Sequence, residues 1–445
     1  MDNQVVQKVT QGNLLKLILE MAIPSALSML IVIVYGLTDT YFVSKIGVNA
    51  IAAVGISLSF MNVIQAFGLL FGHGSGNYIS RMKGKNLQLE SEKMAVTGFG
   101  IAFMVGLLIF IFCVANMDWL VVFLGAKNEL ISIAKEYLLI LFIATPFAIS
   151  SLTLNNQLRL QGKPKIGAVA LMIGAILNCV LDPIFIFVFQ LGVKGAAYAT
   201  LCGQVVSFVL LLYYMQFKND IKMKYQNISV NKEILSELFM GGLPNFSREI
   251  FIAISFVISN NILAFYGNTY VAAFALAAKL IQAGTYIMVG IGHGFQPICG
   301  MNYGAGLYQR VAKAFHITLW VSITFVCILG IFFIYKGQFA IKLFSDDIDV
   351  IDIATTVLKI QAFTLPAIAY ITIAGMFLQN THQFKMATII TISRQGLIYI
   401  PCIYVLNFIW GIDGVYFSQV VADAITLFIS VYFVRKNVKA LTAFG

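Results

Sequence analysis

Two aspartates lie inside apolar stretches of the first half of this sequence. Asp39 falls in VYGLTDTYFV and Asp182 in ILNCVLDPIFIF. A charge at the centre of a membrane helix costs roughly 2.5–3.5 kcal/mol on insertion scales, so each acid needs a partner, water or a function. Tyr35 precedes Asp39 by four residues and Asn178 precedes Asp182 by four, so each pair shares one helix face. These oxygen atoms can cage a hard monovalent cation, or the two carboxylates can form a protonatable pair.

Asp39 and Asp182 can also be explained without a functional role. Asp182 immediately precedes Pro183, where a helix tends to break, and Asp39 can reach the outer water. The first half has no Lys or Arg in the middle of an apolar stretch that could neutralise the carboxylates. This lack of a basic partner for the two acids favours a coupling site for a cation.

The second half mixes bases and acids within its apolar stretches. Arg248, Lys279 and Arg394 stand there together with Glu249 and Asp423. One interpretation is internal ion pairing that fixes helix packing. The other is a substrate cavity, in which the bases bind an anionic or zwitterionic group of the cargo.

The remaining metal-ligand residue types show no metal pattern. All six cysteines lie in or beside apolar runs, without CxxC or CxxxH spacing, which predicts free and buried thiols. The triplet Gly72-His73-Gly74 recurs as Gly292-His293-Gly294. Its glycines favour close helix packing over a metal or proton site. We therefore predict no metal centre, apart from Na⁺ at the acids of the first half if Na⁺ and not H⁺ is the coupling ion.

The elements that position these residues are membrane helices. The 445-residue chain is 60% hydrophobic and 11% charged, with a mean hydropathy of +0.88, too apolar for a soluble core of that size. Stretches of about 20 apolar residues suit a bilayer about 30 Å thick. Twelve such segments are predicted, near 14–44, 50–80, 94–115, 130–153, 166–190, 195–217, 236–265, 270–300, 314–335, 350–378, 386–409 and 414–434.

The net charge of +10 reflects membrane topology. If the N-terminus is cytoplasmic, most of the 29 basic residues fall in the tails and in the turns on the cytoplasmic side. This is the positive-inside rule, and it predicts a multi-pass protein of the plasma or inner membrane with both termini in the cytoplasm. It gives no support for nucleic-acid binding. The first helix lacks a cleavage site and is predicted to be retained.

The sequence contains an internal repeat. Matches at a spacing of 220 residues pair Pro24 with Pro244 and Pro146 with Pro366, and after one deletion Gly192 matches Gly411 at a spacing of 219. Six crossings return the chain to its starting side, so the copies are related by a pseudo-twofold axis along the membrane normal. We predict an all-α polytopic membrane protein with an N-lobe at 1–217, a cytoplasmic linker at 218–235 and a C-lobe at 236–445.

No catalytic motif or phosphate-binding loop is present, so the sequence predicts neither an enzyme nor a cofactor. Transport would then draw its energy from an ion gradient. Moving one charge across the membrane yields about 2.3 kcal/mol per 100 mV.

The strings MAIPSALSMLIVIVYGLTDTYFV and GIGHGFQPICGMNYGAG resemble those of the multidrug and toxin extrusion (MATE) family of cation-coupled efflux proteins. The resemblance covers essentially the whole chain, although His293 stands where the family usually has Gln. It implies that Asp39, Asn178, Asp182 and Thr200 form the cation site of the N-lobe, and that Tyr35 belongs to the drug cavity. Other branches use a helix 7 glutamate further from the proline than Glu249 is, which favours N-lobe coupling here and leaves the role of Glu249 open.

These observations predict a secondary antiporter that acts as a monomer. It would export amphipathic organic compounds in exchange for H⁺ or Na⁺, with no cofactor other than the coupling ion. The alternative is a flippase for a lipid-linked saccharide or another anionic amphiphile, for which the second half offers basic residues. A receptor or a membrane-embedded enzyme fits the duplicated body less well.

Overall fold

The computed structural model describes residues 2–126, 128 and 130–443, without the side chains of residues 2, 3, 32–35, 37, 48, 49, 442 and 443. Every regular element in this part of the chain is helical, which confirms the predicted fold class. The α-helices are α1 (Asp2–Gln11), α2 (Leu14–Ser44), α3 (Val48–Gly84), α4 (Gln88–Ala115), α5 (Met117–Phe123), α6 (Leu130–Leu160), α7 (Pro164–Pro183), α8 (Val193–Tyr213), α9 (Lys232–Tyr266), α10 (Asn268–Gly304), α11 (Tyr308–Lys342), α12 (Ile348–Ala362), α13 (Leu365–Asn380), α14 (Phe384–Ile392), α15 (Tyr399–Trp410) and α16 (Ile412–Ala443).

Eleven spans among the described helices are long and apolar enough to cross a membrane. The tenth predicted segment, 350–378, is instead a pair of helices, α12 and α13, bent by 54°. The break lies beside Pro366 in the first turn of α13, where proline is favoured because its missing N–H has no helical partner. When this bent pair counts as one span, the total reaches the predicted twelve.

Three spans in the described part of the chain contain a π-helical turn. The first turn extends α7 at Ile184–Val188, and the second follows α8 at Tyr214–Lys218. The third joins α14 to α15 at Ser393–Leu397. Such turns shift the helix face by part of a turn and occur often at functional sites. Two of the three lie beside or contain predicted site residues, because Asp182 precedes the first and Arg394 belongs to the last.

The helices group into two compact units. The first contains Met1–Gln7 and Leu27–Glu249, and the second contains Lys8–Ala26 and Ile250–Gly445. The assignment changes within α2, shortly after Pro24, and within α9, shortly after Pro244. Proline removes a helical hydrogen bond and so lets the two halves of a helix take different directions. The units are therefore not sequential segments, and the lobe boundaries at 217 and 236 stay a prediction.

Each unit has its own core. In the first, α3 packs against α4 and α6, and the buried rings of Phe60 and Phe142 meet edge to face at 4.7 Å. In the second, α11 packs against α12 and α13, and the buried rings of Phe315 and Phe377 lie 4.8 Å apart. Within a bilayer, such close packing replaces the hydrophobic effect as the main source of helix association.

The repeat is visible in the backbone as well as in the sequence. Gly47 and Gly267, at the starts of α3 and α10, have φ values of 145° and 133°. The pair Gly192 and Gly411 has φ values of 54° and 59°. Positive φ is costly for residues with a Cβ, so each turn requires glycine in both copies. The matched glycines therefore report the same loop geometry repeated in the two halves.

Candidate cation site

Four side chains of the first unit converge from α2, α7 and α8, and we call them the candidate cation site. Asp39 lies on α2, Asn178 and Asp182 on α7, and Thr200 on α8. Their exposed fractions are 8%, 1%, 0% and 3%, respectively. The four residues predicted to coordinate the coupling ion are thus all buried in one compact unit.

The site has more hydrogen-bond acceptors than donors. The Asn178 amide donates to the Thr200 hydroxyl at 3.3 Å. Among the described residues, both carboxylate oxygens of Asp182, Oδ1 of Asp39 and Oδ1 of Asn178 are buried without a hydrogen-bond partner. Asp39 and Asp182 are also close enough for electrostatic repulsion. Buried carboxylate oxygens without a donor cost several kcal/mol unless a proton or a cation joins them.

This geometry speaks against the structural explanation of the two acids. Asp39 does not reach water, since only 8% of it is exposed. Asp182 is fully buried, and the chain continues beyond Pro183 as a helical turn. No ion pair to either carboxylate occurs within the described part of the chain. Both acids are therefore buried, and neither has an ion-pair partner among the described residues.

Glycines bring α7 and α8 into backbone contact next to the site. A Cβ on Gly203 would lie 2.6 Å from the carbonyl oxygen of Gly174 and 3.2 Å from Cβ of Asn178. A Cβ on Gly174 would lie 2.0 Å from the Ser207 hydroxyl. Two helices approach this closely only where side chains are absent. The small residues thus set the distance that the Asn178–Thr200 hydrogen bond spans.

The part of the second unit that repeats α7 and α8 contains an acid paired with a basic side chain. Arg394 Nε donates to Asp423 Oδ1 at 2.8 Å, and the Gln419 amide donates to the same oxygen at 2.9 Å. Asp423 is fully buried, whereas the Arg394 side chain is 20% exposed. Gln419 stands at the 219-residue spacing from Thr200. Asp39 and Asp182 of the first unit have no ion-pair partner among the described residues, whereas Asp423 of the second unit is neutralised by a guanidinium group.

Comparisons with known proteins identify the family of this chain. The sequence matches the MatE family over residues 24–184 and 244–405, which covers most of both repeats. The chain belongs to the MATE family. MATE proteins are ion-coupled membrane transporters and not enzymes, so this multi-pass chain is a multidrug efflux transporter by family.

Individual relatives cover nearly the whole MATE chain. The multidrug export protein MepA of Staphylococcus aureus (strain MSSA476) is 30% identical over 437 residues, or 96% of each chain. MepA of Staphylococcus haemolyticus (strain JCSC1435) is 28% identical over 97% of this chain and 96% of its own. Among solved structures, an outward-facing multidrug resistance MATE transporter gives a TM-score of 0.92 at 24% identity, covering 98% of each chain. A MOP superfamily transporter from Pyrococcus furiosus gives 0.91 at 24% identity, also covering 98% of each chain.

The other residues predicted for the substrate cavity of this MATE protein belong to both units. Arg248 and Glu249, neighbours on α9, form an ion pair at 2.8 Å in the first unit. Lys279 is exposed on α10 in the second unit, and none of the described acids pairs with it. The side chain of Tyr35 lies outside the described residues. The cargo-binding role of this set remains a prediction.

The two Gly-His-Gly triplets serve helix packing in both units. A Cβ on Gly74 would lie 1.8 Å from the carbonyl oxygen of Leu238, and one on Gly294 would lie 2.5 Å from the backbone nitrogen of Ala22. His73 is buried with its Nε2 3.4 Å from Nη2 of Arg159. No group of three or more metal-ligand side chains exists among the described residues.

Sequence reasoning missed two uncharged contributors to these sites. Gln419 orients Asp423, and Gly203 lets α8 approach α7. A signal for Gln419 was present, because it is the repeat partner of Thr200. Nothing in the sequence distinguished Gly203 from the other glycines, which number 36 in total. Its contact with Gly174 is visible only in the folded chain.

Replacement of Gly203 by alanine is expected to reduce both stability and transport. The new Cβ meets a backbone carbonyl at 2.6 Å, so α7 and α8 must separate, at a cost of about 1–3 kcal/mol. Thermal unfolding of the purified protein and dye export measure the two effects. The matched control is Gly100→Ala on α4, where no atom lies within 4 Å of the new Cβ. That change should leave stability equal or slightly higher, because alanine favours helix. Equal stability of the two variants would contradict the packing role.

Proposed function

We propose that this protein is an antiporter that exports amphipathic organic compounds in exchange for H⁺ or Na⁺ bound at the candidate cation site. The observation that carries the proposal is the set of unpartnered oxygens on Asp39, Asn178 and Asp182 inside the first unit. A proton or cation entering this site removes the repulsion between the two carboxylates and satisfies their oxygens.

The contrast between the units supports coupling in the first. Arg394 and Gln419 already satisfy one carboxylate oxygen of Asp423, so that acid has less need of an exchangeable cation. Asp39 and Asp182 have no such partner among the described residues. The coupling ion is therefore expected to bind the first unit only.

Ion binding can change the conformation of α2, because that helix carries Asp39 and also belongs to both compact units. A cation that binds one conformation better than another shifts the balance between them by its difference in affinity. In this proposal, occupation of the site favours one of the outward-open and inward-open states, and release favours the other.

Cargo class, location and orientation belong to the same proposal. The relatives named as multidrug export proteins support small amphipathic cargo. The distribution of basic residues supports a plasma or inner membrane location with both termini in the cytoplasm. We further propose that the monomer is the transporting unit, since both repeats lie in one chain.

Gradient-driven dye efflux from proteoliposomes tests the proposal. An imposed inward gradient of H⁺ or Na⁺ is expected to drive export of a cationic dye. Without an ion gradient, dye should leave the proteoliposomes no faster than it leaves protein-free liposomes. Replacing Thr200 by valine removes a hydroxyl ligand and keeps the shape, so it should weaken Na⁺-driven transport far more than H⁺-driven transport. Export that ignores both gradients would refute antiport.

The flippase alternative is less favoured by the structure. It depends on a basic patch, but Arg394 pairs with Asp423 and Arg248 pairs with Glu249. Only Lys279 of the three bases lacks an acidic partner in the described chain. A lipid-scrambling measurement in the same proteoliposomes distinguishes the two functions.

A further inference from the structure

A cavity of about 380 Å³ lies in the second unit, and no residue of the candidate cation site lines it. It opens among α11, α13 and α16, and neither the coupling reaction nor the predicted cargo residues use it. This volume falls within the range of small-molecule sites in proteins. We propose that the cavity binds an anionic phospholipid of the cytoplasmic leaflet.

The cavity joins apolar walls to a basic rim. Phe315 and Leu319 of α11 and Val434 and Val438 of α16 supply apolar wall, together with the ring of Tyr370 from α13. The rim consists of His316, Arg435 and Lys439, all of which are exposed. A phospholipid has the matching chemistry, since its acyl chains are apolar and its phosphate is an anion.

The depth of the rim fits a lipid headgroup. With 35 and 32 residues, α11 and α16 are about 52 and 48 Å long, whereas the hydrocarbon core measures about 30 Å. Each helix therefore extends roughly 10 Å beyond the hydrocarbon at either end. His316 and Arg435 lie about 12 Å from the nearer ends of their helices, at Tyr308 and Ala443. Both bases thus stand near the boundary where lipid phosphates begin.

The surrounding charge favours an anion. No Asp or Glu occurs in the three segments that surround the cavity rim on and beside α11, α13 and α16, which are 305–320, 371–390 and 424–445. They contain six Lys or Arg residues, Arg310, Lys313, Lys385, Arg435, Lys436 and Lys439. By the proposed topology this end faces the cytoplasm, whose leaflet carries anionic lipids. Each base of the rim is expected to attract a phosphate held in the cavity by about 1 kcal/mol, or about fivefold in affinity, whereas bases that do not line the cavity contribute less.

Lipid retention by the purified full-length protein tests this inference. The protein is incubated with equal amounts of phosphatidylglycerol and phosphatidylcholine, and native mass spectrometry measures the lipid that stays bound. The wild type should retain phosphatidylglycerol preferentially. The double variant R435Q/K439Q should lose about thirtyfold in affinity for phosphatidylglycerol and little for phosphatidylcholine.

The matched control removes two bases that do not line the cavity. K313Q/K436Q deletes the same number of charges, one from α11 and one from α16, and should retain phosphatidylglycerol within about fivefold of the wild type. L319W fills the apolar end while all bases remain, and it should also reduce retention. Thermal unfolding in phosphatidylcholine alone shows whether each variant is folded.

Three results would overturn the inference. The first is an equal loss in both double variants, which would indicate a general surface charge effect. The second is equal retention of the two lipids by the wild type. The third is displacement of the lipid by millimolar inorganic phosphate, which would indicate a site for free anions. None of these measurements requires transport, so their failure is distinguishable from failure of the antiport proposal.

Discussion

Replacement of Asp182 by asparagine is expected to reduce gradient-driven export at least tenfold. Asp182 is fully buried, and neither of its carboxylate oxygens has a hydrogen-bond partner among the described residues. Asparagine keeps the size of the side chain but removes the charge that holds a proton or cation. The measurement is dye efflux from proteoliposomes under an imposed H⁺ or Na⁺ gradient.

Two further measurements show whether the loss concerns coupling. Counterflow exchange of labelled cargo without an ion gradient should survive in Asp182→Asn, because cargo binding does not require the acid. Asp39→Asn should have a similar phenotype, and the double variant should be little worse than either single one, since residues of one site act as a unit.

The matched control is Asp413→Asn, which neutralises an exposed acid in the first turn of α16. It should retain wild-type export. Full gradient-driven activity in the double variant of Asp39 and Asp182 would exclude the proposed mechanism. An equal loss in Asp413→Asn would show that total charge, and not the candidate cation site, determines the rate.

Replacement of Arg394 by methionine is expected to cause the largest loss of stability. Arg394 is the ion-pair partner of Asp423, which is fully buried. Removal of one member of a buried pair leaves an uncompensated charge and costs about 3–5 kcal/mol. Thermal unfolding of the purified protein in detergent, followed by tryptophan fluorescence, measures the change.

The double variant Arg394→Met with Asp423→Asn distinguishes the two roles that the sequence left open for Arg394. It removes both charges, so stability should return close to the wild-type value. Export of a monocationic dye should then be normal if the pair serves packing alone. A selective loss for zwitterionic or anionic cargo would assign the Arg394 guanidinium to cargo recognition. Failure to recover stability would contradict the ion-pair explanation.

The sequence predicted the transmembrane helices because long apolar stretches have one stable form in a bilayer, in which every backbone group is bonded within its own segment. The exception was the tenth span, where Pro366 divides one predicted helix into α12 and α13. The repeat matched Gly192 with Gly411, and in the structure the two glycines have similar φ values of 54° and 59°.

The sequence by itself determined the all-α fold and the duplication, because these follow from local composition and from spacing along the chain. Spacing also made Asp39, Asn178 and Asp182 candidates for a cation site, whereas Thr200 was added only by the family resemblance. Only the tertiary structure decided which charges have partners. Arg394 and Asp423 are 29 residues apart in the chain yet form an ion pair, whereas Asp182 lies buried with neither oxygen bonded in the described chain. Side-chain pairing depends on how helices pack across sequence distance, through contacts such as Gly174 against Gly203. A sequence places a charge in a membrane helix, but the folded chain determines whether that charge is neutralised.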